Sequence, residues 1–209
     1  MEFNKIRNII FDLGAVIINI DIESTILAFA KHFQVPIEEI HTFLQEKSLW
    51  EEHEKGNVSD EILIQHLNSY FKNQIDETDF VKAWNTLLLD IPQERIELLK
   101  LLSAKYRLFL LSNTNQTHID MVNEKLRNEN QVVGGLDSLF ERVYLSHQVK
   151  LRKPDPKIYE FVLNDSSLIA TECLFLDDNE QNIISAASVG INTIHVTPNR
   201  SITELLAQA

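Results

Sequence analysis

The sequence predicts an α/β protein: a doubly wound parallel, Rossmann-like sheet with an all-helical domain inserted after its first strand. Three observations carry that prediction. Runs of consecutive apolar residues at 9–11, 108–111 and 173–176 alternate with segments of helical period, the pattern of parallel strands buried on both faces and joined by crossover helices. Each run stops abruptly on polar residues: Asp12 after the first, Ser112 with Asn113 after the second, Asp177 with Asp178 after the third. Between the first two runs, residues 21–90 show helical periodicity only.

In chain order, the first strand ends on Asp12, and Gly14 reads as a place where the backbone turns tightly or approaches a ligand. Ile26, Phe29, Ala30 and Phe33 then recur at helical spacing. Pro36 with Glu38 and Glu39 suits the first turn of a second helix, striped by Ile37, Ile40 and Leu44. Residues 50–57 read as a polar connection. Ser59 N-caps the next helix, and Asp76 opens another whose face runs through Phe80, Ala83, Trp84, Leu87 and Leu88. Beyond Pro92 the texture becomes α/β again. A helix through Ile96, Leu99 and Leu102 leads to the strand at 108–111, and a helix at 117–127 leads through a polar loop at 128–135 to a strand at 143–145. Asp155 and Pro156 start a helix, the strand at 173–176 follows, a helix at 181–189 stops at Gly190, and a strand at 192–196 precedes a short helix capped by Ser201. The expected organisation is a catalytic α/β domain of residues 1–18 and 92–209 and a helical cap of residues 19–91. In such sheets the ligand crevice lies outside the carboxyl ends of the strands, where Asp12, Ser112 and Asp177 all fall. The inserted helices leave from that same edge and are placed to cover it.

With 19 basic and 31 acidic residues the net charge is −12, which repels nucleic acid and anionic membrane surfaces. An anionic substrate therefore needs a locally positive site, made of lysine, arginine or a metal ion. Cys173 is the only cysteine, which leaves neither a disulfide framework nor a thiolate zinc cluster and fits a reducing cytoplasm. Residues 1–8 carry no apolar targeting core, and no run reaches the length of a membrane span. The oligomeric state, monomer or dimer, is left open.

Taken singly, most of the polar positions have ordinary readings. Ser112 and Asn113 could form a loop or cap, and Lys153, in the basic run 150–153, could be a solvated charge. The acidic pair is harder to dismiss, because adjacent carboxylates ending a buried strand repel unless a cation is present.

Together, Asp12, Ser112 with Asn113, Lys153 with Pro154, and Asp177 with Asp178 resemble the motifs of the haloacid dehalogenase-like (HAD) phosphohydrolase superfamily, in order and over essentially the whole chain. The resemblance implies that Asp12 attacks phosphorus to form an aspartyl-phosphate. It implies a magnesium ion held by Asp12, the backbone carbonyl of Gly14 and Asp177, an all-oxygen set suited to a hard cation. Ser112 and the Asn113 N–H would hold phosphoryl oxygens, Lys153 would neutralise charge, Asp178 would orient Lys153 or complete the metal shell, and Asn182 would support the site. Trp50, His53 and Glu54, in the cap's polar connection, are candidates for choosing the substrate. The family's usual second aspartate, a general acid and base, is replaced by Gly14, as in dehalogenase and phosphonate-cleaving relatives. Dehalogenases, however, do not need the acidic pair kept here. The chain looks most like the glucose-1-phosphatase-type branch. The implied partner is a small phosphorylated metabolite such as a hexose 1-phosphate. A dehalogenase-type hydrolase and a phosphate-binding module without turnover are the alternatives.

Overall fold

The computed structural model describes residues 3–45 and 47–207. Asn8–Phe11 (β1), Arg107–Ser112 (β2), Arg142–Leu145 (β3), Cys173–Asp177 (β4) and Asn192–His195 (β5) form a sheet in the order β3-β2-β1-β4-β5, every pair parallel. All of β1 and β4 is buried, which is why these strands read as unbroken apolar runs. Phe11 lies opposite both Leu110 and Leu176, so the residues that follow these strands emerge at nearly one level. Asp12 continues the ladder by one bond, donating its N–H to the Leu176 carbonyl at 2.9 Å.

Between β1 and β2 the chain forms Ile22–Phe33 (α1), Ile37–Leu44 (α2), Lys47–Glu54 (α3), Asp60–Phe71 (α4) and Glu77–Trp84 (α5). The side chains of Asp21, Ser59 and Asp76 cap α1, α4 and α5 by accepting backbone N–H bonds. These helices bury a core of their own, with Phe29, Phe33, Ile40, Leu67, Phe80 and Trp84 among its members. The polar connection expected at 50–57 is instead largely helical, because α3 runs to Glu54. Its inward stripe consists of Leu49, Trp50 and a buried His53, too little apolar content to register as a helix in sequence. A second difference lies at the end of α5, which tightens into a 3-10 turn at Asn85–Leu87. Leu87 and Leu88 therefore leave the α5 stripe and pack on the sheet domain's core.

The remaining helices wind the sheet on both faces. Gln93–Leu102 (α6), Gln116–Asn128 (α7) and, near the C-terminus, Ile202–Leu205 pack with Ile9, Phe11, Leu108 and Leu110 on one face. After the short Ser146–Val149 (α8), Pro156–Asp165 (α9) and Glu180–Ser188 (α10) pack with Ile10, Phe109 and Phe175 on the other. The strand order reverses between β1 and β4, placing Asp12 and Asp177 at the switch point where such sheets bind ligands. The two crossings to the helical insertion run side by side, with the Asn19 N–H bonded to the Asp90 carbonyl and the Leu89 N–H to the Asn19 carbonyl, each at 2.9 Å. Among the described residues no helix is long and apolar enough to cross a membrane. Of the residues 1–8 judged free of a targeting core, Met1 and Glu2 lie outside the described residues, as do the last two residues of the expected α/β domain.

Candidate active site

β1 and β4 are neighbours in register, so their terminal carboxylates meet, and the loop before α9 delivers a lysine between them. Lys153 Nζ donates to Asp12 Oδ1 at 2.7 Å and to Asp177 Oδ2 at 2.6 Å. Its ammonium also lies 5.4 Å from the centre of the Phe175 ring. Lys153 is 1% exposed and Asp177 fully buried, so these are bonds formed out of water, where charge counts most. Burial disfavours the ammonium, but Asp12 and Asp177 more than offset it and lift the Lys153 pKa above the ordinary lysine value. Asp12 is pushed up to about 7, first by burial, with Lys153 pulling it down and Asp177 adding to the rise.

Two asparagines hold the charged groups in place. Asn182 Nδ2 donates to both oxygens of Asp177, at 3.0 and 3.1 Å. The Asn113 side chain bonds to the Lys153 backbone in both directions: Nδ2 donates to its carbonyl at 2.8 Å and Oδ1 accepts its N–H at 2.9 Å. This side-chain role of Asn113 is invisible in sequence, because its partner is remote in the chain. Ser112 is buried beside it at the end of β2. The Asp178 side chain is exposed, and its backbone carbonyl accepts from His195 Nε2 at 2.8 Å.

Asp12, Asp177 and Asp178 can each present an oxygen within 4.8 Å of the others'. Lys153 neutralises only one of those three charges, so the site repels a phosphate dianion unless a further cation enters. An all-oxygen donor set fits a hard divalent ion such as Mg2+.

Gly14 does not occupy the left-handed region; the tight turn after β1 places Ala15 there instead, at φ 55°. Gly14 is set apart by its neighbour: a Cβ on it would stand 3.3 Å from Ile20 Cδ1, so an apolar wall fills the place of a larger side chain. A cavity of about 560 Å³ extends from Gly14, Ser112 and Asn113 to the cap. Trp50 and Glu54 line it, and Trp50 also packs on Trp84 at 4.6 Å between ring centres. His53 is placed elsewhere. It is 2% exposed, lies edge-on to Trp84, and its Nε2 bonds to Asp60 Oδ1 at 2.7 Å. Glu23 and Thr25 on α1, His41 on α2, Gln45 just past it, Thr114 after β2 and His118 on α7 add to the cavity's polar lining. No motif or spacing marks the cap residues among them, which share only the side of the cap that faces the sheet, or His118, which meets them from the core. Burial pushes the His118 pKa down to about 4 and leaves a neutral ring bonded to the Trp84 carbonyl.

Residues 9–196 match the family described as haloacid dehalogenase-like hydrolase. The crystal structure of a HAD family enzyme from Bacteroides thetaiotaomicron superposes with a TM-score of 0.88 at 32% identity, covering 96% of this chain and 98% of that one. That enzyme has also been crystallised with magnesium and inorganic phosphate, both as wild type and as an Asp-to-Ala mutant. A predicted HAD-like hydrolase from Porphyromonas gingivalis gives a TM-score of 0.84 at 32% identity, covering 98% of this chain and all of that one. D-ribitol-5-phosphate phosphatase of B. thetaiotaomicron is 27% identical over 189 residues, 90% of either chain. Sequence match, shared fold and the carboxylates converging at the strand ends agree, and the chain belongs to the haloacid dehalogenase-like hydrolases.

Proposed function

We propose that the protein is a magnesium-dependent phosphomonoester hydrolase that acts on a small phosphorylated carbohydrate through an aspartyl-phosphate. The observation that carries this reading is the buried Lys153 ammonium bridging Asp12 and Asp177 at the switch point. In the first step an Asp12 oxygen bonds to phosphorus as the bond from phosphorus to the sugar oxygen breaks. In the second, water attacks the same phosphorus and returns the Asp12 carboxylate and free phosphate. Lys153 supplies fixed positive charge to the nucleophile and the transferring group, while Ser112 Oγ and the Asn113 N–H hold phosphoryl oxygens. Asp12, the Gly14 carbonyl and Asp177 would hold the Mg2+, with Asp178 at its edge and Asn182 fixing Asp177. The ion supplies the charge that lets a carboxylate approach a phosphate dianion.

Position 14 shapes the substrate preference. A carboxylic acid there would protonate the departing oxygen, and Glu54, the cap carboxyl group within the cavity, is instead engaged as a carboxylate by Arg152 at 2.6 Å. Leaving groups that depart readily as anions should be favoured, and the hydroxyl at a sugar's anomeric carbon is more acidic than a primary alcohol. This argues for a hexose 1-phosphate, as expected for the glucose-1-phosphatase-type branch. The relative acting on D-ribitol 5-phosphate, a primary-alcohol ester, supports the carbohydrate class and supplies the competing substrate. The test is kcat/KM for both esters, with Mg2+ and with excess chelator. The hexose 1-phosphate should lead by about 10²-fold or more, the lower end of what general acid catalysis contributes, and chelator should stop both reactions. A faster pentitol 5-phosphate would exclude the hexose assignment, and full activity in chelator would exclude the metal.

Trp50 offers a second check, because it is the large aromatic face among the cavity's cap residues. Trp50→Ala should reorder the substrate panel. An unchanged ranking would place recognition elsewhere.

A further inference from the structure

The last turn of α3 and the residues after it are bound directly to the loop that carries Lys153, and through Ser146 to the loop that carries Ser112 and Asn113. Arg152 Nε and Nη2 lie 2.9 and 2.6 Å from Glu54 Oε2, and Nη1 lies 3.3 Å from Glu51 Oε1. Two residues earlier, Lys150 Nζ donates to the Gly56 carbonyl at 2.6 Å. Gly56 itself sits at φ +66°, and a Cβ there would stand 2.4 Å from the His147 carbonyl oxygen, so only glycine permits this approach of cap to core. Ser146, fully buried at the start of α8, lies 2.6 Å from the Glu54 carbonyl and accepts the Thr114 N–H at 2.9 Å.

We propose that this turn of the cap is a clamp that sets the Lys153 loop and the Ser112–Thr114 loop together, with Arg152 and Ser146 as its positioning residues. The inference rests on the phosphatase reading for its catalytic consequence and on geometry alone for the clamp. Arg152 immediately precedes Lys153, and Thr114 immediately follows Asn113, the residue whose side chain ties the two loops to each other. A Ser146 hydroxyl has one proton to give, and the docked cap offers the Glu54 carbonyl at 2.6 Å against the Thr114 carbonyl at 3.1 Å. Withdrawal of the cap would free Arg152 and redirect Ser146 at the same moment. Docking thus couples cavity closure to the placement of the Lys153 ammonium and of the donors at the end of β2.

The test compares wild type with Arg152→Ala by amide hydrogen exchange and by steady-state kinetics. Arg152 does not line the cavity. Exchange should quicken at the Thr114 and Lys153 amides while the cap core stays protected. With the hexose 1-phosphate, whose leaving group needs no acid, kcat should fall on the order of 10²-fold, as for a misplacement of about 1 Å, with KM little changed. Arg152→Lys should recover part of both effects, and it serves as the primary variant if Arg152→Ala does not fold. Unchanged exchange at both amides, or an undiminished kcat with the hexose 1-phosphate, overturns the clamp. Because exchange is read without substrate, a wild type that hydrolyses no phosphate ester while these amides still respond to Arg152→Ala overturns the phosphatase reading and leaves the clamp standing.

Discussion

Asp12→Asn should leave a folded protein that no longer turns over a phosphate ester. The amide matches the carboxylate in shape and lacks its nucleophilic charge, so kcat should fall on the order of 10⁴-fold or more, as when other nucleophiles are removed. The fold should tolerate the change, because Lys153 keeps Asp177 at 2.6 Å. Stability should move in a defined direction with pH. Burial raises the Asp12 pKa from 3.8 to about 7, so between those values the folded state binds the proton more tightly than the unfolded chain does. The wild type, held in chelator, therefore loses stability as pH rises through that window, and Asp12→Asn does not. Thermal unfolding in chelator should show the variant gaining on the wild type from about pH 4 to about pH 7 and holding its advantage above, the window set by those two values. Acid-quenched mass spectrometry should detect a phosphoryl adduct on the wild type alone. Sustained turnover by the variant, or an adduct on it, would remove Asp12 as nucleophile.

The parts legible in the sequence share one physical property: their signal is local or periodic. The buried strands announce themselves because both faces are covered, and Ser59 and Asp76 cap helices by bonds a few residues away. The meeting of Asp12 and Asp177 is a regular consequence of parallel strands ending at one level. What stayed hidden depends on pairings across the chain. Helix α3 is tied down partly by what His53 meets, Asp60 and Trp84, partners that its own apolar spacing does not reveal. Burial works against the Asp60 carboxylate, yet hydrogen bonds from His53 and Thr117 hold its pKa below the ordinary value. The tie between Asn113 and Lys153, the fork of Arg152 on Glu51 and Glu54, and the approach of Ile20 to Gly14 likewise join segments that sequence spacing cannot relate.

Lys153→Met should cost both activity and stability, and its stability loss should depend on metal and pH together. Methionine has nearly the length of lysine and carries no charge, so the substitution leaves Asp12 and Asp177 facing each other in a buried site. Breaking a buried ion pair by removing one partner typically costs about 3–5 kcal/mol, a large share of the roughly 5–15 kcal/mol that holds a domain folded. Two routes relieve that strain. Protonating Asp12 removes one charge, and loss of the ammonium that pulls its pKa down makes protonation easier still. As an acid whose folded-state pKa is raised, Asp12 then makes the variant progressively less stable as pH rises, so the deficit should be smallest near pH 5 and largest near pH 8. The other route is Mg2+, which neutralises the same oxygens and should stabilise the variant more than the wild type. Urea unfolding at both pH values, with Mg2+ and with chelator, separates the two routes. Turnover should fall by on the order of 10²- to 10³-fold even where the variant is fully folded, because no other cationic side chain bonds to Asp12 among the described residues. A variant as stable as the wild type at pH 8 in chelator would show that the two carboxylates do not need the ammonium between them, and with that the electrostatic account of this site would fail.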